Sequence, residues 1–319
     1  MSERPPRPSE VLLAVPNVSE GRDDAATRAI AAAFDARLLD VHSDPDHHRS
    51  VFTLAGEPGS LAGHVVAGAR EAIARVDIAV HRGAHPRIGV VDVAPIVYLD
   101  EAARGAACAE ALVLGDMLAD ELELPVFIYG ELARGRTRAE LRRGGPHELA
   151  RRIRAGELTP DFGPHRLHPT AGAVLVAARA PLVAFNLELE PPTTFEQARA
   201  IAALIRERGG EGLRGVRAIG LYLERRRVVQ VSTNIEDHRA TSLADVVAAV
   251  ARHASIARVE LVGLAPRAAF DGFPDDVPIP GFDPQRHLIE TALSVPESAE
   301  PGSRSSAHVP AHPRARKLQ

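Results

Sequence analysis

PLVAFNLEL at 181–189, TFEQARAIAALIRER at 194–208, VRAIGLYL at 216–223, VVQVSTN at 228–234, TSLADVVAAVARH at 241–253 and ARVELVGL at 257–264 form an ordered series. The first, third, fourth and sixth runs are short and rich in β-branched and aromatic residues, as strands require. The second places Ile201, Leu204 and Ile205 on one helical face, and Thr241 or Ser242 offers an N-cap hydroxyl at the head of the fifth. The order is therefore βαββαβ, the split-βαβ or ferredoxin-like arrangement, in which two helices cover one face of a mixed sheet and leave the other free to meet a partner surface.

Working back toward the N-terminus, the same order recurs. A strand is expected at 11–16, a helix at 23–35, strands at 37–42 and 49–55, and a helix at 60–75 with Leu61, Val65, Ala69 and Ile73 at helical spacing. A strand at 89–98, a long helix at 101–122, a strand at 125–130 and a small-residue strand at 172–178 extend it. The chain thus reads as α/β (α+β), with two ferredoxin-like subdomains of mixed sheet at 11–179 and 180–294 and a substrate groove between their open faces. No internal sequence repeat supports the duplication, which rests on element order alone. Residues 1–10 and 295–319 are Pro-, Ser- and Arg-rich without periodicity and are expected to be disordered tails.

Composition narrows the function. The 319 residues suffice for two cores, and with no Trp and 4% aromatics those cores must be aliphatic. A net charge of −4 gives no general attraction for nucleic acid or an anionic membrane. Cys108 stands alone, so neither an intrachain disulfide nor a Cys-based zinc site is available, and it reads as a small core residue. The start carries no signal-like apolar stretch and no span of about 18 apolar residues occurs; a cytoplasmic protein is expected.

Four polar segments interrupt the elements: PNVSEGR (16–22), HSDPDHHR (42–49), HRGAHPRIG (81–89) and DFGPHRLHPTAG (161–172). In the third, His85 could carry a proton in either direction near neutrality, while Arg82 and Arg87 could hold carboxylates and disfavour imidazolium. A polar loop whose histidines merely bond the backbone is the competing reading. The second segment invites a metal, but its proline breaks helical pairing and no second ligand pair stands at a standard distance, so contact with solvent or substrate is preferred. The fourth can cradle an anion or a polar ring edge on backbone N–H groups, with Arg166 adding charge, yet it contains no phosphate-loop motif. Arg225 to Arg227 fall at a hairpin tip and read as a solvated turn.

VPNVSEGR (15–22), DVHSDPDHHRSVFTLAG (40–56), GAHPRIGVVDVAPIVYL (83–99), PVFIYGE (125–131), PDFGPHRLHPTAGAVLVAAR (160–179), LVAFNLEL (182–189) and QVSTNIED (230–237) together resemble the formiminotransferase family, in order over residues 11 to 265. The resemblance implies two ferredoxin-like subdomains around a groove and glutamate formimidoyltransferase activity, moving the formimino group of N-formimino-L-glutamate to N5 of tetrahydrofolate as co-substrate, with no metal. It puts His85 at the family's catalytic histidine. It puts the folate-binding stretch on Gly163, Pro164, His165, Arg166, Leu167, His168, Pro169, Thr170, Ala171 and Gly172. Arg49, Arg82 and Arg87 are the nearest cations for substrate carboxylates, and Asp40 or Asp44 could orient His85 or meet the cationic amidine. A homodimer is the family's assembly. Formyl transfer between 5-formyltetrahydrofolate and glutamate, or a metal-dependent formimino-glutamate hydrolase using 42–48, are the alternatives.

Overall fold

The computed structural model describes residues 10–295, so the expected tails lie outside the described residues apart from Glu10 and Val295. In the first unit, β1 (Leu12–Ala14) and β2 (Asn17–Val18) act as one strand interrupted at Pro16. They are followed by α1 (Asp24–Ala33), β3 (Arg37–Asp44), β4 (Arg49–Gly56), α2 (Leu61–Arg75) and β5 (Val91–Tyr98). The β1/β2 strand lies between β4 and β5, with β3 outside β4, and all of these pairings are antiparallel. Beyond β5 come β7 (Val174–Arg179) and then β6 (Val126–Ile128), both parallel, which makes this sheet mixed. Helices α1, α2 and α3 (Arg104–Leu122) bury Ile30, Phe34, Leu61, Val65 and Leu114 against one face with Phe52, Leu54 and Ile96.

The second unit runs β8 (Val183–Leu189), α6 (Phe195–Ile205), β9 (Val216–Leu223), β10 (Val228–Ile235), α7 (Leu243–Ala251) and β11 (Ile256–Val262) in the order β11-β8-β10-β9. This sheet is antiparallel throughout, not mixed as expected: β10 inserts between β8 and β9, and both of β10's neighbours oppose it. Val183, Phe185, Leu187 and Leu189 face the helices, while Ala184, Asn186 and Glu188 point the other way, the strand period dividing apolar from polar. Both helices open on capping boxes, Thr194 with Gln197 and Ser242 with Asp245.

The remaining face of the first sheet is covered by two different partners. Over β5 to β7 lie α4 (Arg138–Arg142) and α5 (Gly145–Arg154), which the sequence reading did not foresee, packing Leu141, Leu149 and Ile153 on Val93, Phe127 and Leu175. Over β1 and β4 lies the second unit, whose Leu264 and the residues Ile289 and Ala292 of the short helix Ile289–Ser294 pack on Val11, Leu13, Ala55 and Val97. Cys108 sits half-buried on α3 against the first core. Among the described residues no helix is long and apolar enough to cross a membrane.

Candidate active site

The four polar segments gather at one edge of the first sheet, where β4 and β5 begin and the β1/β2 strand ends. Backbone and side-chain bonds lace them together: Ser19 Oγ to Gly89 O at 2.8 Å, Ser50 Oγ to Glu20 O at 2.5 Å, Ala84 N to Asp46 O at 3.1 Å and Ile78 N to Thr170 O at 2.8 Å. His81 donates to the His48 carbonyl at 3.0 Å, and the two imidazoles stack with centroids 4.1 Å apart. The loop carrying His85 passes so close to the 42–49 turn that a Cβ on Gly83 would strike the His47 carbonyl and lie 2.8 Å from His48 Cβ. Glycine is demanded there by space.

Between this edge and the polar face of the second sheet lies a cavity of about 100 Å³ lined, among others, by Arg49, His47, His85, Arg142, Asn186 and Asn234. Arg49 Nη1 meets the fully buried Asp92 at 2.7 Å, and Arg142 bonds the same carboxylate. Two guanidiniums thus share one counter-charge, which leaves this wall of the cavity with an excess of positive charge. Asp92 is pushed up by burial but held well below the usual carboxylate range by Arg142 and Arg49. Burial, against the pull of Asp92, draws Arg49 down to about 10, so it stays charged at neutral pH.

His85 sits part-buried at the cavity. Loss of water around it, then the charges of Arg49 and Arg142, depress its pKa well below 6.5, so the ring is neutral. Its Nδ1 is 2.7 Å from the Pro86 carbonyl, which can only accept; the proton therefore resides on Nδ1 and Nε2 carries the lone pair. The segment places an imidazole at the cavity, but the cations beside it are not the sequence neighbours. Arg87 spends its guanidinium on the carbonyls of His81, Gly83 and His85, bracing the loop, and Arg82 is exposed on the His81 carbonyl; neither lines the cavity.

Asp44 lines the cavity yet orients His47, not His85, with His47 Nδ1 3.1 Å from Oδ1. Burial raises its pKa and the bonds from His47, with Arg226 nearby, lower it by more, keeping it ionised. Asp40 lies on β3 opposite Thr53, away from the cavity lining. The side chains of 42–48 are parted among different partners: His42 reaches Glu260 of β11 at 3.6 Å, Asp44 and Asp46 take Arg226, and His48 stacks on His81. Among the described residues no group of three or more His, Cys, Asp or Glu is placed to hold a metal ion. Arg226 corrects the solvated-turn reading of the β9–β10 tip, since it crosses between units to Asp44 and Asp46 while also meeting Glu188 of its own unit.

Of Gly163–Gly172, none lines the cavity. Pro164 to Thr170 are partly or fully exposed, while Ala171 and Gly172 pair with Val90 and Gly89 and buttress the loop of His85. The site residues that the sequence reading missed are Asp92, Arg138, Arg142, His47 and the second-unit polar residues. The signals were a capping box, Thr137 with Glu140, opening a helix that bears Arg138 and Arg142 at i, i+4, and the polar alternation Asn186 and Ser232 to Asn234 on strands otherwise apolar.

Two split-βαβ units thus enclose a groove with a neutral imidazole beside two guanidiniums that share one buried carboxylate. Models of known families narrow this: one described as the formiminotransferase domain, N-terminal subdomain, matches residues 11–179, and one described as the formiminotransferase domain matches 184–271. The chain is 34% identical over 287 residues to glutamate formimidoyltransferase of Thermoplasma acidophilum, covering 87% of this chain and 89% of that one. It is 31% identical over 298 residues to glutamate formimidoyltransferase of Streptococcus pyogenes, covering 89% and 99%. It is also 39% identical over 283 residues to pig formimidoyltransferase-cyclodeaminase, covering 82% of this chain and 51% of that one. The chain belongs to the formiminotransferase family. It spans about half the length of the bifunctional relatives it matches.

Proposed function

We propose that this protein transfers the formimino group of N-formimino-L-glutamate to N5 of tetrahydrofolate, with His85 as general base and then general acid. The observation that carries the reading is the neutral His85 ring, its Nδ1 proton engaged by Pro86 O and its free Nε2 at a cavity bordered by Arg49 and Arg142. The formimino carbon is attacked by N5; the new C–N bond forms while Nε2 takes the N5 proton. The bond from that carbon to the glutamate nitrogen then breaks, and the imidazolium returns the proton to the departing amine. The same imidazole serves both steps, neutral when it takes the proton and charged when it returns it. No covalent enzyme intermediate is needed.

Arg49 and Arg142 hold a glutamate carboxylate in this reading, as guanidinium forks fit carboxylates, and Arg138 extends the same positive wall. The edge segment Gly163–Gly172 contacts the part of folate that projects from the cavity, a role suited to its exposed His165 and Arg166.

The test is formimino transfer to tetrahydrofolate by wild type and His85→Asn, with chelator present and folate binding measured alongside. Loss of about 10²- to 10⁴-fold in kcat with folate still bound is expected. Inactive wild type that binds folate overturns the assignment.

A further inference from the structure

The transfer as written gives His47 no task, although its ring is buried to 6% exposure and lines the cavity, its centroid 6.3 Å from that of His85. Its tautomer is fixed. Asp44 Oδ1, 3.1 Å from Nδ1, also accepts the backbone N–H groups of Asp46 and His47 at 2.7 Å, and Arg226 holds the other oxygen at 3.1 Å. A carboxylate so engaged is an acceptor only, so Nδ1 carries a proton, and in the neutral ring Nε2 carries the lone pair. That Nε2 is buried and has no hydrogen-bond partner among the described residues. A buried acceptor without a donor lowers stability, which suits a place that a ligand N–H completes.

The formimino and formyl groups differ at this atom. The terminal nitrogen of a formimino group bears N–H donors, whereas a formyl group presents an oxygen that only accepts. We propose that His47, with its tautomer set by Asp44, is the specificity-determining residue that accepts an N–H of the formimino group and thereby selects formimino over formyl donors. The inference rests on the formimino-transfer reading above. Facing a formyl oxygen, Nε2 would meet a second acceptor, and a site built around a hydrogen bond rejects an analogue that cannot make it more strongly than an apolar pocket does.

N-formimino-glutamate and N-formyl-glutamate are compared as donors to tetrahydrofolate, as a ratio of kcat/KM, in wild type, His47→Ala and Asp44→Asn. A merely structural role would scale both donors together. The proposal expects the formimino-over-formyl ratio to fall about ten-fold or more in His47→Ala. It expects a smaller fall in Asp44→Asn, whose amide oxygen still takes the backbone N–H groups and the Nδ1 proton but, without the negative charge, holds the ring less firmly. Where a variant turns over too slowly, the ratio of calorimetric affinities for the two donors is read on folded protein. A third variant, His47→Gln, stands in for any that does not fold. Ratios unchanged by these substitutions overturn the role of His47 while leaving the transferase reading in place; absence of formimino transfer in wild type overturns that reading instead.

Discussion

Asp92 shows how one buried carboxylate can set the chemistry of a neighbouring base. It is fully buried, receives the Ile88 N–H at 2.9 Å and holds Arg49 and Arg142 beside the cavity, and those two cations are what disfavour imidazolium at His85 after burial itself. The sign of a perturbation follows. In Arg142→Gln one cation is gone, so the charged form of His85 is less disfavoured and its pKa rises toward 6.5. The acid limb of kcat/KM is expected below 6.5 in the wild type and higher in this variant, and a pH–rate profile of both proteins checks it. A limb that stays in place would remove Arg142 from the account of the base. Asp92→Asn acts in the opposite way on structure: two buried guanidiniums lose their counter-charge, and urea unfolding is expected to show a loss of about 3–5 kcal/mol.

At the scale of elements, the site depends on loops held by side chains, and two of these devices are testable. Thr137 and Glu140 close a capping box on the five-residue helix that presents Arg138 and Arg142. Thr137→Ala is expected to cost about 0.5–2 kcal/mol and to lower kcat/KM with it, since the guanidiniums are placed by that single turn. The second device is the His48–His81 stack that joins two of the polar segments. Burial, with Arg87 and His48 beside it, pulls His81 down to about 4, whereas the unfolded ring titrates near 6.5. The unfolded chain therefore binds more protons between these values, and stability falls as pH drops from 6.5 toward 4. His48, lowered chiefly by burial, has the same sign; His42, which burial lowers and Glu260 raises by more, opposes them. Calorimetry should show the melting temperature declining through that window, and declining less in His81→Gln, which keeps a donor for the His48 carbonyl. These loops also mark what was legible in the sequence. Both βαββαβ units were readable because the second unit's strands alternate apolar with polar and the first unit's β4 and β5 are short, almost continuously buried runs, and His85 stood out as a candidate because a His, Pro and Arg cluster is conspicuous. Helices α4 and α5 were not, because their arginines mask the sparse apolar stripe of Leu141, Leu149 and Ile153. Nor was the choice of cation: Arg82 and Arg87 are neighbours of His85 along the chain, whereas Arg142 reaches it only because Asp92 gathers it there.

On the scale of the whole molecule, the two units are joined by unlike contacts on either side of the cavity. One is apolar, with Leu264, Ile289 and Ala292 set on Val11, Leu13 and Ala55. The other is ionic: Arg226, at the tip of the β9–β10 hairpin, meets Asp44 and Asp46 of the first unit at 3.1 Å and Glu188 of its own unit at 2.6 Å, while Arg258 meets Glu188 at 2.7 Å. Asp44 and Asp46 are nearly buried, so removing Arg226 leaves negative charges facing each other across the seam with little water to screen them. Arg226 itself keeps some exposure, which discounts the loss toward the lower part of the range for a broken buried pair, about 3 kcal/mol. Arg258→Met is the control, since among the ion pairs described its guanidinium engages Glu188 within the second unit and Arg226 still neutralises that carboxylate. The expectation is that Arg226→Met lowers the urea midpoint well beyond Arg258→Met and, because Asp44 loses the cation that steadies it, lowers formimino kcat/KM as well. If the two variants lose equal stability, Arg226 is a hairpin-tip residue with no special hold on the first unit, and the cavity owes its shape to the apolar seam and to the other cross-unit pairs, His42 with Glu260 and Arg138 with Glu236.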